Sequence, residues 1–281
     1  MRANGAEYVL PLHCIGDSHT EMLNGLLLRD AKTNAPLAVG TSMYAIPTAA
    51  SAFSDPQAGI SATLIPLLYA IRVLGFAKRT AEAPTFQFGQ HLLSVHPNAQ
   101  KRWVMLFAGE FDARFVIESV PLDATIALPD FDLSPFAQFP VLRVVAQQSI
   151  EAEMLKRLQP LIDLVNQLRM IGIARVALTS IPPPTLDDAE YRRLTGIESR
   201  ASTRYAVHWL LNRVLASLCA ADGIAFIDTW PLETENNIVR PGFLLDNIHL
   251  GREAAVLKLR AYYELVQADG SAEVVDVSSV Q

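Results

Sequence analysis

Five short apolar or β-branched runs punctuate the chain, at residues 12–15, 37–44, 103–107, 175–179 and 224–227, and longer segments separate them. Residues 150–170, about 199–221 and 253–267 carry apolar side chains at helical spacing, with Gly251 and Arg252 opening the last of these. Strand-like runs alternating with helix-like segments predict a parallel sheet with helices on both faces. The run Val104-Met105-Leu106-Phe107 has no polar alternation, which fits a strand covered on both sides. Pro11 has no N–H to give a central ladder, so the first strand is expected to start at or after it. Residues 21–28 look helical. The most apolar window, 60–76, contains Pro66 and Arg72 and predicts a kinked buried helix rather than a membrane span, which needs about 18 uncharged apolar residues. From 119 to 148 the chain mixes Pro121, Pro129, Pro135 and Pro140 with Phe131, Phe136 and Phe139. That stretch reads as a long loop insertion, either a lid or binding loop or an oligomer contact. The expected organisation is one α/β domain over residues 1–267 and a loosely held tail over 268–281.

Composition narrows the function classes. With 51% hydrophobic and 19% charged residues over 281 positions, the chain can bury a large core. A formal net charge of −6 leaves no basic surplus to neutralise a phosphate backbone, so nucleic acid is not an expected partner. Two cysteines, Cys14 and Cys219, are too few for a disulfide framework or a zinc cluster, and no metal or cofactor is expected. The first residues lack an apolar run behind a basic start, so a cytoplasmic location is the expectation.

Candidate chemistry begins where the first strand ends, at Gly16-Asp17-Ser18-His19. A serine at the carboxyl end of a strand in an open α/β sheet stands where ligands bind. Its backbone N–H would lie near a helix amino end, where an oxyanion can be stabilised. A serine before a helix can equally be an N-cap, a task that Asp17 could also perform. The second feature is Asp246-Asn247-Ile248-His249 near the other end. Three residues of separation let the carboxylate turn back onto one imidazole nitrogen, leaving the other to act as base. A serine hydroxyl needs such a base, because it is a weak nucleophile until its proton is taken. His13, His19, His91, His96 and His208 receive no chemistry, and Ile181-Pro-Pro-Pro184-Thr185 reads as a rigid rim loop that could wall a pocket or simply end a strand.

Gly16-Asp17-Ser18-His19, Gly109-Glu110-Phe111-Asp112 and Asp246-x-x-His249, in that order and across nearly the whole chain, resemble the SGNH (GDSL-like) hydrolase superfamily. The stretch from Gly109 to Arg114 is similar to that superfamily's Gly-Glu-Ile-Asp-Cys-Arg branch. The resemblance implies a flavodoxin-like three-layer α/β/α sandwich with strand order 2-1-3-4-5. It also implies that Ser18 is the nucleophile, His249 the general base and then acid, and Asp246 its orienting carboxylate. The backbone N–H of Ser18 would be one oxyanion donor. Asp17, Gly109, Glu110, Asp112 and Arg114 are candidates for the oxyanion or substrate-binding surround. Two departures stand out: Phe111 replaces an expected Asn donor, and no glycine of a second block can be aligned in residues 40–51. Arg114 could substitute as an anion-binding group, or could pair with Glu110 or Asp112.

The implied activity is a serine esterase or deacylase acting on an acyl ester, with an O-acetylated or otherwise acylated carbohydrate as the substrate class the resemblance suggests. The alternatives are an acyltransferase of the same fold and a weakly active carbohydrate-binding or scaffold protein in polysaccharide biosynthesis. A phosphate binder has little support, since the first loop has one glycine and no Walker lysine.

Overall fold

In the computed structural model the described residues are 7–23, 26–29, 36–45, 65, 68–69, 74–76, 85–95, 103–136, 140–246 and 248–269. The central sheet is built from β1 (Glu7–Gly16), β2 (Leu27–Arg29), β3 (Pro36–Ala45), β7 (Val104–Phe107), β10 (Val176–Thr179) and β11 (Ala225–Ile227). Its order is β11-β10-β7-β1-β3-β2. β1 is parallel to both β3 and β7, and β10 to both β7 and β11. Counted along the chain, these five parallel strands give the order 2-1-3-4-5. The short β2 runs antiparallel to β3 at the edge.

Alternate side chains of the central strands feed two cores, and this makes the sandwich three-layered. Val104 and Leu106 join one cluster with Val116 and Ile117 of α1 (Glu110–Ser119), Leu161 and Val165 of α2 (Gln147–Met170), and Leu211 and Leu215 of α4 (Ala201–Ala221). Met105 and Phe107 join the opposite cluster with Ala255, Leu259 and Tyr262 of α6 (Arg252–Ala268). A strand buried on both faces has no reason to alternate apolar with polar, which is why β7 is apolar throughout. Between these helices lie α3 (Asp188–Thr195) and the short α5 (Trp230–Glu233).

Several expectations change. β1 begins at Glu7, ahead of Pro11, because its register with β3 shifts between Val9 and Leu12 and the missing N–H falls in that irregularity. Its pairing with β7 starts only at His13. The helix expected at 21–28 is not found among the described residues there: a 3-10 turn, Ser18–Leu23, is followed by β2. The window 60–76 lies mostly outside the described residues; of those described, Ile65, Leu68 and Tyr69 are helical as expected, while Leu74–Phe76 is β4, a strand paired with β6 (His91–Val95) beside β5 (Thr85–Phe88). The 119–148 stretch is not a plain loop. It carries β8 (Ala124–Ala127) and β9 (Arg143–Ala146), paired in parallel, while Phe131 and Phe136 bury against the helices. Residues 137–139 and the tail from 270 lie outside the described residues. Among the described residues, no helix is long and apolar enough to cross a membrane.

Candidate functional site

The carboxyl ends of the parallel strands meet along one rim. β1 reaches it at Gly16, which pairs with Phe107 at the end of β7. A Cβ at Gly16 would overlap the Phe107 carbonyl, so only glycine lets the two strand ends approach this closely. One residue on, the Asp17 N–H donates to the Phe107 carbonyl at 3.1 Å, and its carboxylate accepts from the His19 N–H at 3.0 Å. Asp17 thus fills the capping role at the start of the 3-10 turn that Ser18 opens. The Ser18 side chain lies outside the described part of the structure.

On the far side of the rim the loop before α6 is folded by Asp246. Its Oδ1 accepts from the backbone N–H groups of Ile248, at 3.3 Å, and His249, at 2.8 Å. Its Oδ2 lies 2.7 Å from His249 Nδ1. Partial desolvation pushes the Asp246 carboxyl up, but the hydrogen bonds from His249 outweigh it and hold the group below its ordinary range. An ionised Asp246 fixes the proton on Nδ1, so Nε2 is the basic nitrogen of His249. Both side chains keep contact with solvent, at 35% exposure for His249 and 49% for Asp246.

His19 joins the two loops, although its sequence position gave no reason to single it out. The Leu250 N–H donates to His19 Nδ1 at 3.2 Å, and the His19 and His249 ring centroids stand 5.8 Å apart. The residues next to Ser18 and His249 in sequence are therefore in direct contact, 231 positions apart along the chain. Burial pulls the His19 imidazole down to about 4, and Lys258, Arg114 and a protonated His249 add to this against the pull of Glu110. Burial also pushes Asp17 up to about 7, against its hydrogen bond from His19 and the charges of Arg114, His249 and Lys258.

The third block forms the start of α1. Gly109 caps it with φ of 119°, a left-handed conformation, and a Cβ there would press on Leu211 and Ile181 at 3.1 and 3.3 Å. Glu110 and Asp112 are buried in the first turn. Burial raises the Glu110 carboxyl, and Arg114 offsets part of this by donating to it from Nε at 2.6 Å. The Arg114 guanidinium also covers the Phe111 ring at 4.7 Å. Arg114 is therefore occupied in holding its own helix turn, the structural alternative raised by the sequence. Residues 46–51 of the unaligned second block lie outside the described residues.

Two polar systems behind the rim were not foreseen. Lys258 of α6 and Glu233 of α5 form a 3.0 Å ion pair with both side chains fully buried. Lys258 Nζ also donates to the Ser180 carbonyl at 2.8 Å and to Thr229 Oγ1, past the ends of β10 and β11. The helix that follows His249 is thereby bound to the sheet rim. The second system grips the proline loop. Pro182 to Pro184 have no N–H groups, so the chain there offers mainly carbonyls. One face of α4 answers with donors at four-residue spacing: Arg204 to Thr185 O at 2.9 Å, His208 Nδ1 to Pro182 O at 2.9 Å and Asn212 to Ile181 O at 3.0 Å. Among the described residues no group of three or more His, Cys, Asp or Glu side chains could hold a metal ion.

No protein-family model matches the chain, and no curated protein does. Solved structures similar to it include a GDSL-like lipase from Bacteroides thetaiotaomicron, 13% identical over 92% of this chain and 88% of that one, with a TM-score of 0.44. An extracellular lipase from Streptomyces rimosus is 12% identical over 92% of this chain and 98% of its own, with a TM-score of 0.44. A carbohydrate acetylesterase from Sinorhizobium meliloti is 14% identical over 92% and 98%, with a TM-score of 0.41. At scores this low the site is read from its own residues.

Proposed function

We propose that the protein is a serine ester hydrolase in which Ser18 attacks an acyl carbonyl, His249 Nε2 takes the hydroxyl proton and then protonates the leaving alcohol, and Asp246 holds the ring in the required tautomer. Water then releases the acid from the acyl-enzyme. The observation that carries this reading is the 2.7 Å Asp246–His249 contact on a loop tied through Leu250 and His19 to the segment that begins with Ser18. Neither Phe111 nor the paired Arg114 supplies an obvious oxyanion donor, so the backbone N–H of Ser18 carries more of that task, and turnover is expected to be modest. An acylated carbohydrate, the substrate class suggested by the sequence resemblance, is part of the proposal, with water as the acyl acceptor. Hydrolysis of p-nitrophenyl acetate by the wild type and by Ser18→Ala tests it. Ser18-dependent turnover supports the esterase, whereas equal rates for the two proteins overturn it.

A further inference from the structure

A narrow recess adjoins the Asp246–His249 loop, lined by Glu110, Tyr191, His208, Ile248 and the run Pro182 to Thr185. It has room for about one water-sized group, about 10 Å³, and opens to solvent at its mouth. Half of this wall, the three prolines and the Ile248 side chain, offers no side-chain donor, and Thr185 Oγ1 already accepts from the Asp187 N–H. Against it stand two buried polar side chains, each 2% exposed, with Tyr191 Oη and His208 Nε2 lacking a hydrogen-bond partner among the described residues. Native proteins rarely leave two buried polar atoms unmatched beside one recess unless an ordered water or a bound group matches them.

The protonation states specify that group. His208 Nδ1 lies 2.9 Å from the Pro182 carbonyl, which can only accept, so Nδ1 carries the proton and Nε2 presents a lone pair. Burial keeps the ring neutral by pulling it down to about 3. Burial also raises the Tyr191 phenol, which therefore keeps its O–H. The recess thus offers one neutral acceptor and one neutral hydroxyl, close to the Glu110 carboxyl. An alkyl group would match neither atom. A carboxylate or phosphate could not donate to Nε2 and would stand near Glu110. A hydroxyl can donate to Nε2 and accept from Tyr191 at once.

We infer that this recess is the alcohol-side subsite of the enzyme and binds a hydroxyl of the substrate's alcohol, giving a preference for esters of polyhydric alcohols over esters of simple alkyl alcohols. The alcohol side is assigned because Ile248 lines the recess and the next residue, His249, is the group that protonates the departing alcohol. The inference rests on the esterase reading and adds to it the binding residues and the chemistry they select.

Glycerol monoacetate and propyl acetate test it, since they share the acetyl group and a three-carbon alcohol and differ only in hydroxyls. The wild type is expected to favour glycerol monoacetate in kcat/KM. Tyr191→Phe removes an oxygen that no described residue bonds, so a purely structural tyrosine predicts no kinetic change. The subsite predicts a loss of about 3–10-fold on glycerol monoacetate and none on propyl acetate. His208→Asn keeps an N–H toward Pro182 while deleting the Nε2 acceptor, and should act in the same direction. An absent preference in the wild type, or one unchanged in both variants, would mean that only water fills the recess and would overturn the inference. Should neither ester be hydrolysed, the esterase reading fails separately. The His208 ring-nitrogen NMR signals of Ser18→Ala then decide the subsite: a shift with glycerol monoacetate but not propyl acetate supports it, and no shift overturns it.

Discussion

The Lys258–Glu233 pair and the Asp246–His249 pair stand at the same edge of the sheet, one fully buried and multiply hydrogen-bonded, the other 35–49% exposed to solvent. In the first, the side-chain hydrogen bonds run to residues at the ends of β10 and β11 or to α5, so the pair closes the rim and fixes α6. In the second, one carboxylate oxygen shapes the backbone of its own loop and the other orients a single imidazole nitrogen. A sealed pair cannot hand a proton to a substrate, whereas an oriented and accessible one can. The contrast separates a group that positions the machinery from a group suited to chemistry. The two are coupled, since α6 starts three residues after His249 and carries Lys258 two turns further on.

Substitutions on either side sharpen this contrast. Asp246→Asn removes the acceptor that selects the Nδ1–H tautomer and is expected to lower kcat for p-nitrophenyl acetate by roughly 10²–10⁴-fold, with little change in melting temperature. An equal loss of stability would place Asp246 with the structural pair instead. Lys258→Met leaves Glu233 buried without its cation, and a loss of about 3–5 kcal/mol is expected in denaturant unfolding. The double variant Lys258→Met with Glu233→Leu removes both charges and should recover much of that loss, which a chiefly catalytic Lys258 would not do.

The smallest effect concerns pH. His19 falls from an ordinary 6.5 to about 4 because burial disfavours its charged form. The unfolded chain therefore binds a proton that the folded chain refuses as pH drops from 6.5 towards 4. The contribution of His19 is fully present above 6.5 and is lost through that window, with a slope of about 1.4 kcal/mol per pH unit. Asp17 works the other way: its carboxyl is raised from 3.8 to about 7, so its contribution is lost as pH rises between those values. His19→Asn keeps an acceptor for the Leu250 N–H without the titration. Over pH 6.5 to 4.5 the Asp17 gain offsets the His19 loss in the wild type, so the stability of His19→Asn relative to wild type should rise as pH falls, and a constant difference in denaturant midpoint would show that His19 titrates normally.

Much of the sheet was legible because a strand covered on both faces is apolar along its length, as β7 is and as β10 is up to its last residue, Thr179. The Asp246–His249 contact was legible because both partners lie on one short loop, where spacing alone limits the geometry. Pro11 misled because a register shift in β1 absorbs its missing N–H, and such an irregularity has no local sequence mark. Residues 21–28 misled because apolar residues that suit a helix suit the edge strand Leu27–Arg29 as well. Lys258 and Glu233 could not be paired in advance, since 25 positions separate them and only the packing of α6 brings them together. The Arg204-His208-Asn212 stripe did leave a signal. Three polar residues at four-residue spacing on a largely apolar helix imply a polar partner, and the proline run, rich in carbonyls and poor in N–H groups, is the segment that needs one.

The most direct test of the central claim is covalent labelling with a fluorophosphonate, followed by peptide mass spectrometry. Such a probe reacts with a serine whose hydroxyl is activated by a neighbouring base. The expected result is a single adduct on Ser18 that disappears in His249→Ala while the variant keeps its fold. No adduct on Ser18, or one that persists at full rate without His249, would contradict the relay from Asp246 through His249 to Ser18.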